Sequence, residues 1–391
     1  MKSTASSGPA ARRPAVALLI ETSNRYGREL LRGIRDYVRV HGPWALHLTE
    51  QGRGNRVPRW LAKWRGEGVI ARIENPAIER AVRAADVPVV NVSAAGLAPE
   101  YPTVVSDSAA LASLAAEHFL ERRFTNFGYC GDVRFPWSTM HGQHFVARLR
   151  EAGFDCDVFP SAAMDNADWQ QEQQKLSRWL LSLTKPVAIM ACYDIRGQRV
   201  LDVCRSLRIR VPDEVAVIGQ HNDEVLCELC DPPLSSVIPN ARLAGERAAA
   251  LLDRMMQGQD VSCRPELMAP LGVATRQSTE VIAIDDADIA AAMQFIRDHA
   301  DQGIGVADVL RAIPISRSSL ERKFHQLVGL APYEAILRVR IRRARELLAL
   351  TDLSMTRIAE MAGFSSAEYM SAAFKTQMGI SPRSFRQRNR A

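Results

Sequence analysis

The chain has 391 residues, 47% of them hydrophobic and 24% charged, with a formal net charge of +6. That length holds two or three domains with at least one sizeable core, and those fractions are ordinary for a globular protein in water. No apolar run is long enough to cross a bilayer, and the longest early one, Val16–Ile20, stops at Glu21, too short for a signal-peptide core; secreted and membrane classes are excluded and a cytoplasmic protein is expected.

Residues 1–13, rich in Ser, Ala, Gly and Arg, read as a disordered tail. From 14 to 276, short β-rich apolar runs alternate with helical stretches. Val16–Ile20 precedes a helix over 28–40, Gly68–Ala71 precedes one over 78–85, and Val87–Val92 precedes one over 109–122. Phe127–Cys130, a helix over 143–152, another over 169–183, Val187–Ala191, a helix over 196–207 and Val215–Ile218 complete the predicted series. Such alternation implies an α/β fold of parallel sheets with helices on both faces, here two lobes with a cleft at the strand ends. The seven cysteines are odd in number and scattered, so a disulfide framework is not expected. Cys227 and Cys230 form a C-x-x-C with no second pair, which reads as buried thiols rather than a zinc site.

Residues 277–288 read as a linker, and residues 289–391 as a separate all-α domain. Charge separates this end from the rest. From Arg311 onward there are 15 Lys and Arg against 6 Asp and Glu, whereas the first 310 residues hold 35 against 38. A basic segment on a mildly acidic body suggests a module that binds a polyanion.

The same segment repeats itself at an offset of 50. Ala312, Ser316, Leu320, Phe324, Gly329 and Pro332 recur as Ala362, Ser366, Met370, Phe374, Gly379 and Pro382. A Ser suited to an N-cap, apolar positions every four residues and a Gly suited to a C-terminal stop define one helix in each copy. Short helices over 306–312 and 355–362 precede them, giving two helix-turn-helix units. In the first unit Leu320, Phe324 and Leu327 share the buried face, leaving Ser318, Arg322 and His325 outward with Glu321 alongside. In the second, Met370 and Phe374 are inward and Glu368, Ala372 and Lys375 outward, with Ser371 to one side. Outward polar faces of this kind can meet base edges in a major groove. A connecting helix over 333–351 spans about 28 Å, against roughly 34 Å between successive major-groove faces. Some of its arginines at 338, 340, 342, 343 and 345 are placed to reach phosphates, others being solvated surface.

Ile358-Ala359, Gly363-Phe364, Tyr369, Phe374-Lys375, Gly379-Ile380-Ser381-Pro382 and Phe385-Arg386 closely resemble the AraC/XylS DNA-binding domain, over Ile289–Arg388. The resemblance implies base-reading positions at Ser318, Glu321 and Arg322, and at Ala367, Glu368, Ser371 and Ala372. The expected DNA-contacting set adds His325 and Lys375. Ala372 stands where that family often has Arg. Further forward, Val87-Pro88-Val89-Val90, Val105-Ser106-Asp107, Glu117-His118-Phe119-Leu120 and Phe127–Gly131 occur in order, as do Val211–Val215, Val217-Ile218-Gly219 and Asp231–Val237. Together they resemble the effector-binding core of LacI-type repressors, which has the periplasmic sugar-binding fold. The combination is similar to the xylose-operon activator group, which implies a sugar-closed cleft, a homodimer, a double-stranded DNA operator and contact with RNA polymerase.

The expected ligand positions are Tyr26, Asp107, Trp137, His141, Tyr193, Asp194 and His221. The resemblance gives Asp107 and Asp194 as sugar-hydroxyl ligands. Tyr193 stands where Asn is usual, His221 where Asp is usual, and His141 and His144 where Arg and Gly are frequent. Exchanging acceptor-only carboxylates for imidazoles, which offer a donor and an acceptor, changes the cleft's chemistry. Three readings are open: a different effector, anionic or aromatic; a degenerate cleft in a ligand-independent regulator; or a metal held by His141, His144 and His221. No resident cofactor or metal is expected. No G-x-S-x-G, Walker loop or G-x-G-x-x-G follows a strand, so an enzyme is not expected.

Overall fold

The computed structural model describes residues 13–52, 57–161, 169–280 and 286–388. The chain divides into two compact units, Met1–Val281 and Ile282–Ala391. The expected disordered tail lies outside the described residues apart from Arg13.

The first unit runs β1 (Ala15–Leu19), α1 (Arg25–His41), β2 (Ala45–Leu48), β3 (Gly68–Ala71), α2 (Pro76–Arg83), β4 (Val89–Asn91) and β5 (Val104–Ser106). It continues with α3 (Ser108–Leu120), β6 (Asn126–Cys130), α4 (Pro136–Glu151), β7 (Cys156–Val158), α5 (Trp169–Ser182), β8 (Val187–Ala191), α6 (Asp194–Ser206) and β9 (Val215–Gln220). Then come α7 (Glu224–Leu229), β10 (Ser235–Ile238), α8 (Ala241–Met256), β11 (Glu266–Met268) and β12 (Gly272–Ala274).

Two main sheets result. The first has the order β2-β1-β3-β4 and is parallel, in register Val16↔Gly68 and Ile70↔Val90. The second has the order β12-β10-β9-β8-β6-β7, parallel except for β12 against β10. β5 and β11 form a parallel pair beside the first sheet, bridged to it through Asn91 and Thr103. The central strands β3, β8 and β9 are buried at every position, which is why they read as unbroken apolar runs. Asn24, Asn75 and Asp107 cap α1, α2 and α3 through hydrogen bonds from backbone N–H groups one turn on.

The alternation does not end at Ile218. β10 and the sixteen-residue α8 follow, and α8 returns to the first lobe to pack on α1, β3, β4 and β5. Its buried face is mostly Ala and Gly (Ala241, Ala244, Gly245, Ala248, Ala249), so its hydrophobic periodicity is weak. Those small residues serve a close crossing. A Cβ on Gly33 would lie 1.9 Å from the Arg242 carbonyl oxygen, and one on Gly245 would lie 2.0 Å from that of Leu30. α4 also starts two turns earlier than expected, because Trp137, Ser138, His141 and Gly142 break the apolar pattern there while being buried.

Residues 277–279, read as linker, belong to the first unit. They form a 3₁₀ turn in which Ser278 and Thr279 are fully buried. Residues 281–285 of the expected linker lie outside the described residues.

The second unit is all helix: α9 (Ala287–His299), α10 (Val306–Ala312), α11 (Arg317–Lys323), α12 (Pro332–Leu350), α13 (Met355–Met361), α14 (Ala367–Met378) and α15 (Pro382–Arg388). Asp286 caps α9, so the unit starts slightly before residue 289. α12 serves two cores. Ala335 and Ile336 in its first half pack with Ile296, Val309, Leu320 and Phe324; Ile341, Ala344 and Leu348 in its second half pack with Ile358, Met370 and Phe374.

Candidate functional site

Ligands of open parallel sheets bind beyond the carboxyl ends of the strands. In this unit those ends carry Glu21 after β1, Arg72 after β3, Asn91 closing β4, Ser106 closing β5, Asp132 after β6, Tyr193 after β8 and His221 after β9. The first lobe contributes Tyr26 at the start of α1, whose ring centroid is 5.2 Å from that of His221 in the second lobe. The run of rings continues from His221 to Trp137 at 6.3 Å, then to Tyr193 at 6.0 Å and His141 at 5.6 Å. Phe135 stacks on Trp137 at 5.2 Å. Five of the seven expected ligand positions therefore form one aromatic wall crossing from lobe to lobe. The lobes are tied at the same place by Arg28 to Asp223 at 3.1 Å and Arg25 to Glu224 at 2.7 Å.

Asp107 and Asp194 are engaged with the protein's own backbone and side chains. Asp107 accepts the Ala110 N–H at 3.0 Å as the cap of α3. Asp194, buried, has both oxygens engaged: Ser236 Oγ donates to Oδ1 at 2.6 Å and the Asp223 N–H to Oδ2 at 2.7 Å. Burial pushes its carboxyl up to about 7 against the opposing pull of those two bonds. Its contacts make it a brace for the loop after β9. His221 and Asn222 there have φ of +98° and +50°, left-handed values that are uncommon outside glycine, more so for His than for Asn. Three successive amides hold the turn: His221 N–H to Val237 O at 3.0 Å, Asn222 N–H to Ser236 Oγ at 2.8 Å, and Asp223 N–H to Asp194.

The sequence reading missed the charged floor. Arg72, buried, donates to Glu21 at 2.6 Å and also to Glu74, with its guanidinium over the Tyr26 ring at 5.1 Å. The signal was available as the first polar residue after β1 and after β3. Among the described residues, the buried polar atoms at and beside the wall without a hydrogen-bond partner include Arg72 Nε, His141 Nδ1, Gln220 Oε1 and Asn222 Oδ1.

Electrostatics bear on the three open readings. Burial, and His144 beside it, hold the His141 imidazole down at about 4, so near neutrality it brings no positive charge. Arg72, Arg28 and Arg25 are each paired with carboxylates, and Arg134 pairs with Asp132 at 2.6 Å. Among the described residues, no three His, Cys, Asp or Glu side chains converge to hold a metal ion, so His141, His144 and His221 do not form the cluster that the metal reading needs.

In the second unit, Ser316 and Ser366 cap α11 and α14, accepting from the Ser319 and Tyr369 N–H groups, and Gly329 and Gly379 end these helices at φ of +75° and +73°. Ser318, Glu321, Arg322 and His325 are exposed together on the first unit; Glu368, Ala372 and Lys375 are exposed on the second, with Ala367 and Ser371 partly covered. Leu327 is only partly buried. The helix passes through a π-turn over Phe324–Val328, and the shifted register turns Val328 inward instead. Of the α12 arginines, Arg340 is buried and donates to the Ala300 and Ile304 carbonyls, which removes it from the possible phosphate contacts. Arg338, Arg343 and Arg345 are exposed. The Tyr333 and Tyr369 hydroxyls are hydrogen-bonded, linking the start of α12 to α14.

Comparison with known proteins agrees with this architecture. Residues 15–109 match the XylR N-terminal domain, residues 116–279 a periplasmic binding protein-like domain, and residues 309–388 a helix-turn-helix domain. The chain is 33% identical over 386 residues to the xylose operon regulatory protein of Escherichia coli (strain K12), covering 97% of this chain and 98% of that one. It is 29% identical over 379 residues to the corresponding protein of Haemophilus influenzae, covering 95% and 97%. A solved structure described as that of the xylose-binding transcription activator xylR superposes with a TM-score of 0.78 at 32% identity, covering 97% of this chain and 99% of the other. Among the described residues no helix is long and apolar enough to cross a membrane. The chain belongs to the xylose operon regulatory protein family, and is a ligand-responsive, DNA-binding transcription regulator of sugar catabolism rather than an enzyme.

Proposed function

We propose that the effector is a neutral pentose, D-xylose or a close relative, held between the lobes against the Tyr26, Trp137, Tyr193 and His221 rings. The observation that carries this is the set of unpartnered polar atoms around the wall. Arg72 Nε is a donor, Gln220 Oε1 and Asn222 Oδ1 are acceptors, and His141 Nδ1 takes either role. Hydroxyls, which donate and accept, satisfy such a mixture; a carboxylate only accepts. His141 is uncharged near neutrality, and Arg72, Arg28 and Arg25 are each paired with a carboxylate, so among the described residues none of these four groups offsets an acid's charge. Aromatic faces suit the apolar C–H faces of a sugar ring. In this reading Asp107 acts as the cap of α3 and Asp194 as the brace of the loop after β9.

DNA is read by Ser318, Glu321, Arg322 and His325 in the first unit. In the second, Ala367, Glu368, Ser371, Ala372 and Lys375 lie along the groove and contribute mainly shape and phosphate contact. The protein acts in the cytoplasm as a homodimer and contacts RNA polymerase. Supporting self-association, the edge strand β2 is exposed at all four positions, Leu46 and Leu48 included.

Thermal unfolding of the full chain against pentoses, hexoses, sugar acids and aromatic acids tests the effector. A ligand selective for the native state stabilises by about 2.7 kcal/mol at a hundredfold excess over its Kd. D-xylose or another neutral pentose should raise the Tm. A shift confined to acids would overturn the proposal, and no shift at all would favour a ligand-independent regulator.

A further inference from the structure

Two adjacent serines in β10 face opposite ways. Ser236 points toward the loop beyond β9: its hydroxyl donates to Asp194 and accepts the Asn222 N–H. Ser235 points toward the segment where the chain leaves the first unit. Its Oγ accepts the Arg276 N–H at 2.7 Å and lies 2.9 Å from the Arg276 carbonyl and 2.7 Å from Thr279 Oγ1, while its N–H donates to Ser278 Oγ at 2.8 Å. Ser278 Oγ in turn donates to the Val217 carbonyl at 2.6 Å, and Thr279 Oγ1 is 2.7 Å from His118 Nε2.

One arrangement of protons satisfies the group. His118, held neutral by burial, donates from Nε2 to Thr279; Thr279 donates to Ser235; Ser235 donates to the Arg276 carbonyl. Arg122 closes the network by donating from Nε to the Thr279 carbonyl at 2.9 Å. Ser235, Ser236, Ser278 and Thr279 are fully buried, so water cannot replace a broken bond without an opening of the structure.

Successive side chains of a strand point to opposite faces. A displacement of the His221–Asp223 loop that shifts Ser236 must therefore move the backbone that carries Ser235. We propose that the Ser235–Ser236 pair is the positioning element that couples the interlobe cleft to the exit segment 276–280, from which the chain continues to the DNA-binding unit. The inference rests on the reading of that cleft as the effector site. The hydrogen bonds of Ser235 go to Arg276, Ser278 and Thr279, none of them in the aromatic wall, so its part is transmission rather than binding. Effector binding alters DNA binding through different affinity for two states, and an element whose arrangement differs between them is a physical carrier of that coupling.

Hydrogen–deuterium exchange on the full chain tests the coupling without any ligand. Ser236→Ala should speed exchange in peptides covering 276–280 by about fivefold, the factor for one lost internal hydrogen bond, although Ser236 has no bond to them. Ser235→Ala should reciprocally speed exchange at 221–223. Should either variant fail to fold, Asp194→Asn replaces it, read at 276–280. Faster exchange confined to the mutated side in each case overturns the proposal. With D-xylose, Ser235→Ala should keep the wild-type sugar affinity within about twofold while the ratio of operator affinities with and without sugar falls toward one. A preserved ratio overturns the coupling. If D-xylose fails to bind the wild-type chain, the effector assignment falls, and the exchange data still decide the relay.

Discussion

Arg340 Nε donates to the Ala300 carbonyl at 2.9 Å, tying the middle of α12 to the turn that follows α9. The same guanidinium serves the Ile304 carbonyl, so one buried side chain fixes the connecting helix against the turn between α9 and α10. Arg340→Met leaves both carbonyls short of a donor and should lower the stability of the DNA-binding unit by about 1–3 kcal/mol in denaturant unfolding. The salt dependence of operator binding should be unchanged. Arg338→Ala should do the reverse, with stability within about 0.5 kcal/mol and a salt slope shallower by about 1.

Arg322 is exposed beside Ser318 and Glu321 on α11. Arg322→Ala should weaken operator binding by about 1–3 kcal/mol and relax selectivity at one base pair. Binding titrations on operators permuted at single positions give the answer. An equal loss on all sequences would make Arg322 a phosphate clamp.

The sequence exposes the lobes and both helix-turn-helix units because their signals are local. Buried strands such as Val187–Ala191 are unbroken apolar runs, and each recognition helix is bracketed by a Ser cap and a left-handed Gly. It conceals α8, whose buried face is Ala and Gly rather than Leu and Val, and the start of α4, whose inward residues include Trp137, Ser138 and His141. The aromatic wall is largely legible, since its members follow strand ends or open helices. The inward turn of Asp194 is not, because the direction of a carboxylate depends on Ser236, forty-two residues along the chain. Arg72 is marked as the first polar residue after β3, but its pairing with Glu21 is not legible, because the ends of β1 and β3 meet only in the sheet.

Arg72→Met should leave Glu21 and Glu74 close together, buried and without their cation. A loss of about 3–5 kcal/mol is expected, as for breaking one side of a buried ion pair. Combining it with Glu21→Gln and Glu74→Gln should recover part of that loss. Chemical denaturation of the single and triple variants measures both.

His118 gives an acid limb to stability. Burial, with Arg122 nearby, lowers its pKa to about 3, so the native state binds fewer protons than the unfolded state between that value and about 6.5. Its contribution is complete above about pH 6.5 and is lost as pH falls toward 3. His118→Gln should flatten this limb by on the order of a few kcal/mol. The check is the unfolding free energy of both proteins across that pH range.

The backbone crosses between the two lobes three times, after β5, after β10 and after β11, because α8 and β11 return to the first lobe. Each lobe is consequently assembled from separated stretches of gene, and a single recombination event cannot exchange one for a homologue's. The DNA-binding unit is a single continuous stretch joined at one place. One genetic crossover near codon 281 can therefore pair an intact sensing unit with a new operator reader, whereas exchanging one lobe of the cleft for a homologue's needs several crossovers.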